Sequence, residues 1–453
     1  MAQREIVVAV RPDAPSVPRA HHHQVWWVIS IGVAAAAAAW LRLPAIARDT
    51  LWAEDGRDFL QAALDLGPIN SLVAPYAGYL HTFPRIVASL TVELVPVQYY
   101  AIAMSAGACI LAGIMASIVF VCSADVLPWM PARVITAMLT VMAPLAPREV
   151  LGNEANLHSL VLWTLFWIVI YRPRTKRGGL WLGVFALLGS LTEIQAVLLL
   201  PLMLWRLRDT ARWIPRAGIV LGAALQILVT LLWPRGGSGN APLGAASIGL
   251  GFFINSVLPI WIPQKSIGPA VVWGGIVLCL VLFLPFVVAL VVSLKFGSNT
   301  QRIAAAGLFV GAIVVYCLSV IENPQTFYDY AQFSPDEMAD VWLARYGVVP
   351  SMLLCALAVL AIAIVVGRIK LRPSRSTIPR LAAYGAAVAL VVLLVVQFVP
   401  QDTRRSGGPA WQPQILALRD VCASLPGSST VDVAETIGWH VAVPCSLLQR
   451  SGE

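Results

Sequence analysis

The chain has 453 residues, 58% of them hydrophobic and only 12% charged, with a formal net charge of +8, and its mean hydropathy is +0.78. A soluble protein carries about 25% charged residues, so this chain has too little polar side chain to coat a water-soluble fold. A soluble enzyme, a disordered chain and a disulfide-stapled secreted domain are all excluded. The basic excess is no sign of nucleic-acid binding, because the 27 Arg and 4 Lys gather in short loops between apolar runs, as the positive-inside rule describes. The expectation is an all-α polytopic membrane protein of the cell envelope, and the bias toward Arg, Ala and Val fits a bacterial sequence.

In chain order, a polar arm over 1–24 comes first, its His21 to His23 read as solvated linker and not as a metal tract. Crossing about 30 Å of hydrocarbon takes about 20 apolar residues. Eleven runs approach that length, near 25–42, 97–122, 133–147, 157–171, 179–190, 193–206, 217–233, 270–294, 303–321, 346–366 and 381–399. The fifth and sixth read as a tight hairpin of short spans. Segment 246–262 is broken by Gly and Pro and is expected to lie at the interface. A membrane domain over 25–399 thus holds a long first outer loop, 43–96, with amphipathic stretches at 55–66 and 83–94.

Most basic residues then fall on one side, while among the acids only Glu5, Asp13, Asp125 and Asp209 do. This places the N-terminus in the cytoplasm and the C-terminus outside, in the plasma membrane. Five cysteines fall in or beside spans, whereas Cys422 and Cys445 lie in the outer tail, where a disulfide forms readily. The tail, 400–453, reads as a small extracytoplasmic cap: a flexible start at Arg404-Arg405-Ser-Gly-Gly, a short helix over 411–424, then two extended pieces ending at Cys445.

No phosphate-binding P-loop, dinucleotide-binding glycine pattern or His-Glu-x-x-His zinc motif is present. Transporters bury carboxylates near the bilayer midplane; here the acids gather in outer loops, which points to chemistry at the outer surface. The first outer loop carries Glu54-Asp55-Gly-Arg57-Asp58 and later His81-Thr-Phe-Pro84-Arg85. Asp55, at the start of an amphipathic stretch, suits a general base or a metal ligand and suits equally a helix cap. The second outer loop offers Asn153, Glu154, Asn156 and His158: Glu154 as a second acid, the others as partners for sugar hydroxyls or as caps of the next helix. Thr192-Glu193-Ile-Gln195 reads as structural. Arg345, at the mouth of a span, is placed to grip a lipid phosphate in bidentate fashion. Trp261, Trp273 and Trp342 read as interfacial aromatic-belt residues.

One span, a long outer loop opening on an acidic pair, two membrane-surface helices and a His-x-x-Pro-Arg together resemble the GT-C superfamily of membrane glycosyltransferases, over roughly residues 25–210. Its members include protein O-mannosyltransferases, aminoarabinose transferases, oligosaccharyltransferase catalytic subunits and actinobacterial arabinosyltransferases. His81-Thr-Phe-Pro84 is similar to the mannosyltransferase His-Pro-Pro but lacks its double Pro. The resemblance implies transfer of a sugar from a polyprenyl-phosphate donor to an extracytoplasmic glycan, lipid or protein by inverting displacement. It maps the essential acid to Asp55 or Glu54. Donor or substrate contacts are then expected from Arg57, His81, Arg85, Asn153, Glu154, His158 and Arg345, with a divalent Mg or Mn ion held by Asp55 and Glu154. The rival readings are a flippase or transporter of lipid-linked sugars and a non-catalytic assembly partner.

Overall fold

The computed structural model describes residues 20–236, 241–371, 377–399 and 403–450. Most of the N-terminal arm with Arg4, Arg11 and Arg19, and Arg372 and Arg375 of the late basic cluster, lie outside the described residues. Among the described residues, six helices are long and apolar enough to cross a membrane: Val97–Asp125, Met130–Glu149, Thr210–Leu232, Gln264–Phe296, Asn299–Glu322 and Arg345–Arg368. This is the character of an α-helical membrane protein, since a helix satisfies its own backbone where no water can. These six coincide with six of the eleven apolar runs.

Of the other runs, Ala20–Leu41 and Thr377–Val396 form helices of 22 and 20 residues, and the remaining three depart from regular spans for physical reasons. Leu157–Ile170 has 14 residues, about 21 Å at 1.5 Å per residue, but all of them except His158 are buried. Its uniformly apolar sequence reflects burial in protein on every side, not contact with lipid. The sixth run is no regular span: after Lys176–Ser190 comes a 3₁₀ turn, Ile194–Leu199, and one α turn, Leu200–Met203. Segment 246–262 is helical and unbroken. Ala245–Phe252 continues through a π turn, Phe253–Val257, into Leu258–Trp261, and Ile254 to Ile260 are all buried. A π turn adds one residue to the ladder, which lets the run absorb Asn255 and Pro259 without breaking.

Close crossings between helices rest on small residues. Lys176–Ser190 meets Thr210–Leu232 where a Cβ at Gly218 would overlap the Gly183 carbonyl. Two buried arginines tie helix ends together. Arg42 donates to the carbonyls of Ala143 at 3.1 Å, Gln397 at 3.1 Å and Phe398 at 3.3 Å. Arg216 donates to Met203 at 2.9 Å, Trp205 at 3.0 Å and Val169 at 3.1 Å. One end of the bundle carries the Arg174–Asp125 and Arg212–Asp209 ion pairs, at 2.6 and 3.1 Å. The other end carries the long first loop and the C-terminal segment.

Both amphipathic stretches of that loop are helical: Asp55–Leu60 as a π turn continuing into Gln61–Leu66, and Thr82–Leu94. The C-terminal segment forms a helix, Trp411–Ala423, and an antiparallel hairpin of β1 (Thr430–Ala434) and β2 (His440–Pro444) with Val433 opposite Val441. Cys422 and Cys445 are disulfide-bonded, Cα atoms 5.2 Å apart. The segment has no separate core: Val433, Val441, Ile415 and Trp411 are buried in one cluster with Leu51, Phe59, Leu60 and Tyr100. The boundary at 400 therefore divides the chain but not the packing. Nor is Arg404-Arg405 a flexible start. Arg405 is 3% exposed and donates to the Leu151 and Thr50 carbonyls at 2.9 and 3.3 Å.

Replacing Arg216 by Leu leaves three backbone carbonyls without that donor, at about 1–3 kcal/mol for a buried group left unsatisfied. Thermal unfolding in detergent should show the variant clearly destabilised, and an unchanged midpoint would remove the stapling role.

Candidate functional site

At the loop-bearing end lies a polar cavity of about 280 Å³. The first loop supplies Glu54, Tyr76, Tyr79 and His81; the second supplies Asn156 and His158; Glu193 and Gln195 follow Ser190; Arg235, Glu322 and Arg345 come from later segments. Residues almost 300 positions apart therefore converge on one space.

Glu54 and Asp55 part company here, because adjacent residues at the start of a helix point about 100° apart. Glu54 lines the cavity, and its carboxylate has no hydrogen bond or ion pair among the described residues. Asp55 turns inward and is 1% exposed. Its Oδ1 accepts from the Ala155 N–H at 2.7 Å and the Glu154 N–H at 3.1 Å, and its Oδ2 lies 3.2 Å from the latter. It thus holds the two backbone donors just before Leu157–Ile170 from a distant loop. The expectation that Asp55 faces the cavity is corrected: backbone donors have captured it.

Glu154 is corrected likewise. It is fully buried, and its carboxyl lies against that of Asp55. Burial, then the neighbouring Asp55, pushes its pKa well above the ordinary carboxylate range. Burial raises Asp55 to about 7, against the lowering effect of the Ala155 N–H and Arg405. The expected metal pair does not fit a divalent ion: Asp55 is committed to N–H donors, Arg405 already supplies positive charge beside both acids, and no group of three His, Cys, Asp or Glu among the described residues is arranged to hold a metal.

Three more expected contacts lie elsewhere. Arg57 pairs with Asp58 at 2.8 Å and stacks 3.5 Å over the Trp439 ring, drawn outward by the tail. Arg85 is 2% exposed, its guanidinium 5.4 Å from the Phe59 ring and outside the cavity. Asn153 is a cap, accepting from the Asn156 N–H at 2.9 Å and donating to the Glu149 carbonyl.

His81, His158 and Arg345 do line the cavity. His81 packs on Tyr79, ring centroids 4.1 Å apart, and burial holds its pKa well below the ordinary imidazole value. It is a neutral ring in the wall and brings no charge for an anion. His158 Nδ1 lies 2.6 Å from Glu193 Oε2, so Glu193 orients a cavity histidine as well as capping its own turn through the Gln195 N–H at 2.6 Å. Arg345 shares Glu149 with Arg404, at 3.4 and 3.2 Å. Of the belt residues, Trp273 and Trp342 are both exposed, Trp342 with the Arg404 guanidinium over its ring.

Arg235, Glu322 and Tyr79 escaped the sequence reading. The one available signal was Arg235 itself, an isolated base at the end of a span on the acid-rich side. A separate apolar groove of about 490 Å³ is lined by residues further along the same elements, among them Phe166, Leu198, Gly307, Gly311, Val315 and Leu353. Gln195 Nε2 donates to Ser319 Oγ at 2.9 Å in the wall of the polar cavity. No family model, curated protein or solved structure matches the chain.

Glu435, reaching in from the tail, is a third buried acid near Asp55, and burial raises its pKa to about 9. Asp55 and Glu435 keep protons in the fold that the unfolded chain has already released. The native state therefore binds more protons, and stability falls as pH rises from the ordinary values of 3.8 and 4.5 toward about 7 and about 9. Glu435→Gln removes the upper part of that fall: between about pH 7 and pH 9 its thermal midpoint should drop less than that of the parent protein. Equal drops would contradict the assignment.

Proposed function

We propose that the protein is a GT-C-type glycosyltransferase that moves a sugar from a polyprenyl phosphate to an extracytoplasmic acceptor, with Glu54 as the general base. The observation that carries this reading is the cavity itself. A carboxylate, Glu54, shares it with two guanidinium groups, Arg235 and Arg345, and a separate apolar groove is lined by residues further along the same elements. A donor with an anionic head and an isoprenoid tail needs that sequence of surfaces, because extracting the tail into water costs about 0.8 kcal/mol per CH₂. With the N-terminus inside and the C-terminus outside, the cavity opens on the extracytoplasmic side of the plasma membrane.

The reaction follows from these roles. Glu54 accepts the proton of an acceptor hydroxyl, and that oxygen forms a bond to the anomeric carbon. The bond from the anomeric carbon to the phosphate oxygen breaks on the opposite face, so the anomeric centre inverts. Polyprenyl phosphate leaves as an anion, which Arg235 and Arg345 stabilise with fixed charge more effectively than water does. His158, oriented by Glu193, is a hydrogen-bonding group for sugar hydroxyls, as are Asn156 and Gln195.

The test compares two neighbours in purified protein supplied with labelled polyprenyl-phosphate monosaccharides. Glu54→Gln should keep its thermal midpoint and lose transfer by about 10² or more, the usual size for a lost general base. Asp55→Asn should instead lower the midpoint, because its amide NH₂ would face the Glu154 N–H where Oδ2 now accepts and the charge beside Arg405 is lost. Full transfer by Glu54→Gln would remove the base assignment, and lipid binding with no sugar release would favour the carrier reading.

A further inference from the structure

The turn that presents Glu54 is strained. Ala53, just before it, has φ of 31°, a left-handed value that non-glycine residues rarely adopt and that persists only where the surroundings enforce it. The enforcement comes from the far end of the chain. Thr436 Oγ1 accepts from the Ala53 N–H at 2.9 Å, and the Thr436 N–H donates to the Leu51 carbonyl at 3.4 Å. Glu435 Oε1 accepts from the Arg57 N–H at 3.0 Å. Two consecutive tail residues therefore grip the backbone before and after Glu54. Gly56 lies so close to Glu435 that an added Cβ would overlap its Oε2. The shared core and the Cys422–Cys445 bond keep the hairpin that brings Glu435 and Thr436 to this place.

We propose that Glu435 and Thr436 are positioning residues for Glu54, so that the C-terminal segment completes the cavity of the membrane domain. The catalytic consequence rests on the transferase reading above; the geometric one does not. The clamp uses side-chain oxygens as acceptors, so chemistry and shape can be separated. Thr436→Val keeps the volume and loses the acceptor, Thr436→Ser keeps the acceptor, and Glu435→Gln retains a carbonyl oxygen for the Arg57 N–H whereas Glu435→Ala does not.

The experiment reads position before activity. A cysteine is placed at Glu54 (Glu54→Cys), and its reaction with a water-soluble methanethiosulfonate is timed in detergent-solubilised protein, after subtracting the labelling of the parent. Adding Thr436→Val or Glu435→Ala should change the rate by about fivefold or more, the equilibrium equivalent of one lost hydrogen bond. Thr436→Ser and Glu435→Gln should leave it near that of the single cysteine variant. Gly56→Ala, which disturbs the same contact from the loop side, should match Thr436→Val. Equal rates in all backgrounds would overturn the proposal. Should Thr436→Val fail to fold, the Glu435 and Gly56 variants decide the matter by the same rates.

With Glu54 intact, the same changes should lower kcat and leave KM unchanged, because they displace a base and touch no substrate. Altered labelling without any transferase activity would sustain the clamp and sink the transferase reading. Unaltered labelling in an active enzyme would do the reverse.

Discussion

The loop-bearing end of the molecule depends on one buried carboxylate. Asp55 holds the backbone N–H groups of Glu154 and Ala155 and lies beside Arg405, which itself donates to the carbonyls of Thr50 and Leu151. First loop, second loop and tail thus meet at a single acid. An isolated carboxylate in such a place would be costly, and backbone donors together with a neighbouring guanidinium are what make it tolerable. Everything that faces the cavity is arranged around this knot.

Its main consequence falls on the adjacent residue. With Asp55 turned into the protein, the helical advance from one residue to the next turns Glu54 outward, toward Arg235, Arg345 and His158. The two neighbouring acids thus differ in role: Asp55 fixes the backbone, and Glu54 lines the cavity. The tail adds a second grip on the same turn through Glu435 and Thr436. The site is therefore held from the loop side, while a separate apolar groove lies further along the same elements, the asymmetry that the proposed lipid-borne donor calls for.

The parts that sequence reveals are those written locally. Amphipathic periodicity placed the two loop helices at 55–66 and 83–94, because burial of one face leaves a periodic trace, and the two extended pieces read in the tail are the strands that pair as β1 and β2. Length and composition marked the six long helices. What was hidden depended on partners far along the chain. Leu157–Ile170 looked like a span because a helix buried in protein is as apolar as one in lipid. Asp55 and Glu54 were indistinguishable until the second loop supplied the donors that chose between them. Arg405 looked like part of a flexible linker because its partners, Thr50 and Leu151, lie more than 250 residues earlier. Arg235 carried no motif at all.

The most direct test of this account is an experimental map of the protein with a polyprenyl phosphate bound. The account predicts density for the phosphate between Arg235 and Arg345, within reach of the Glu54 carboxylate, and an isoprenoid chain running past Ser319 along Val315, Gly311 and Gly307. Asp55 should remain closed on the Glu154 and Ala155 N–H groups. A lipid seated elsewhere, with its phosphate against Asp55 and Glu154, would contradict it.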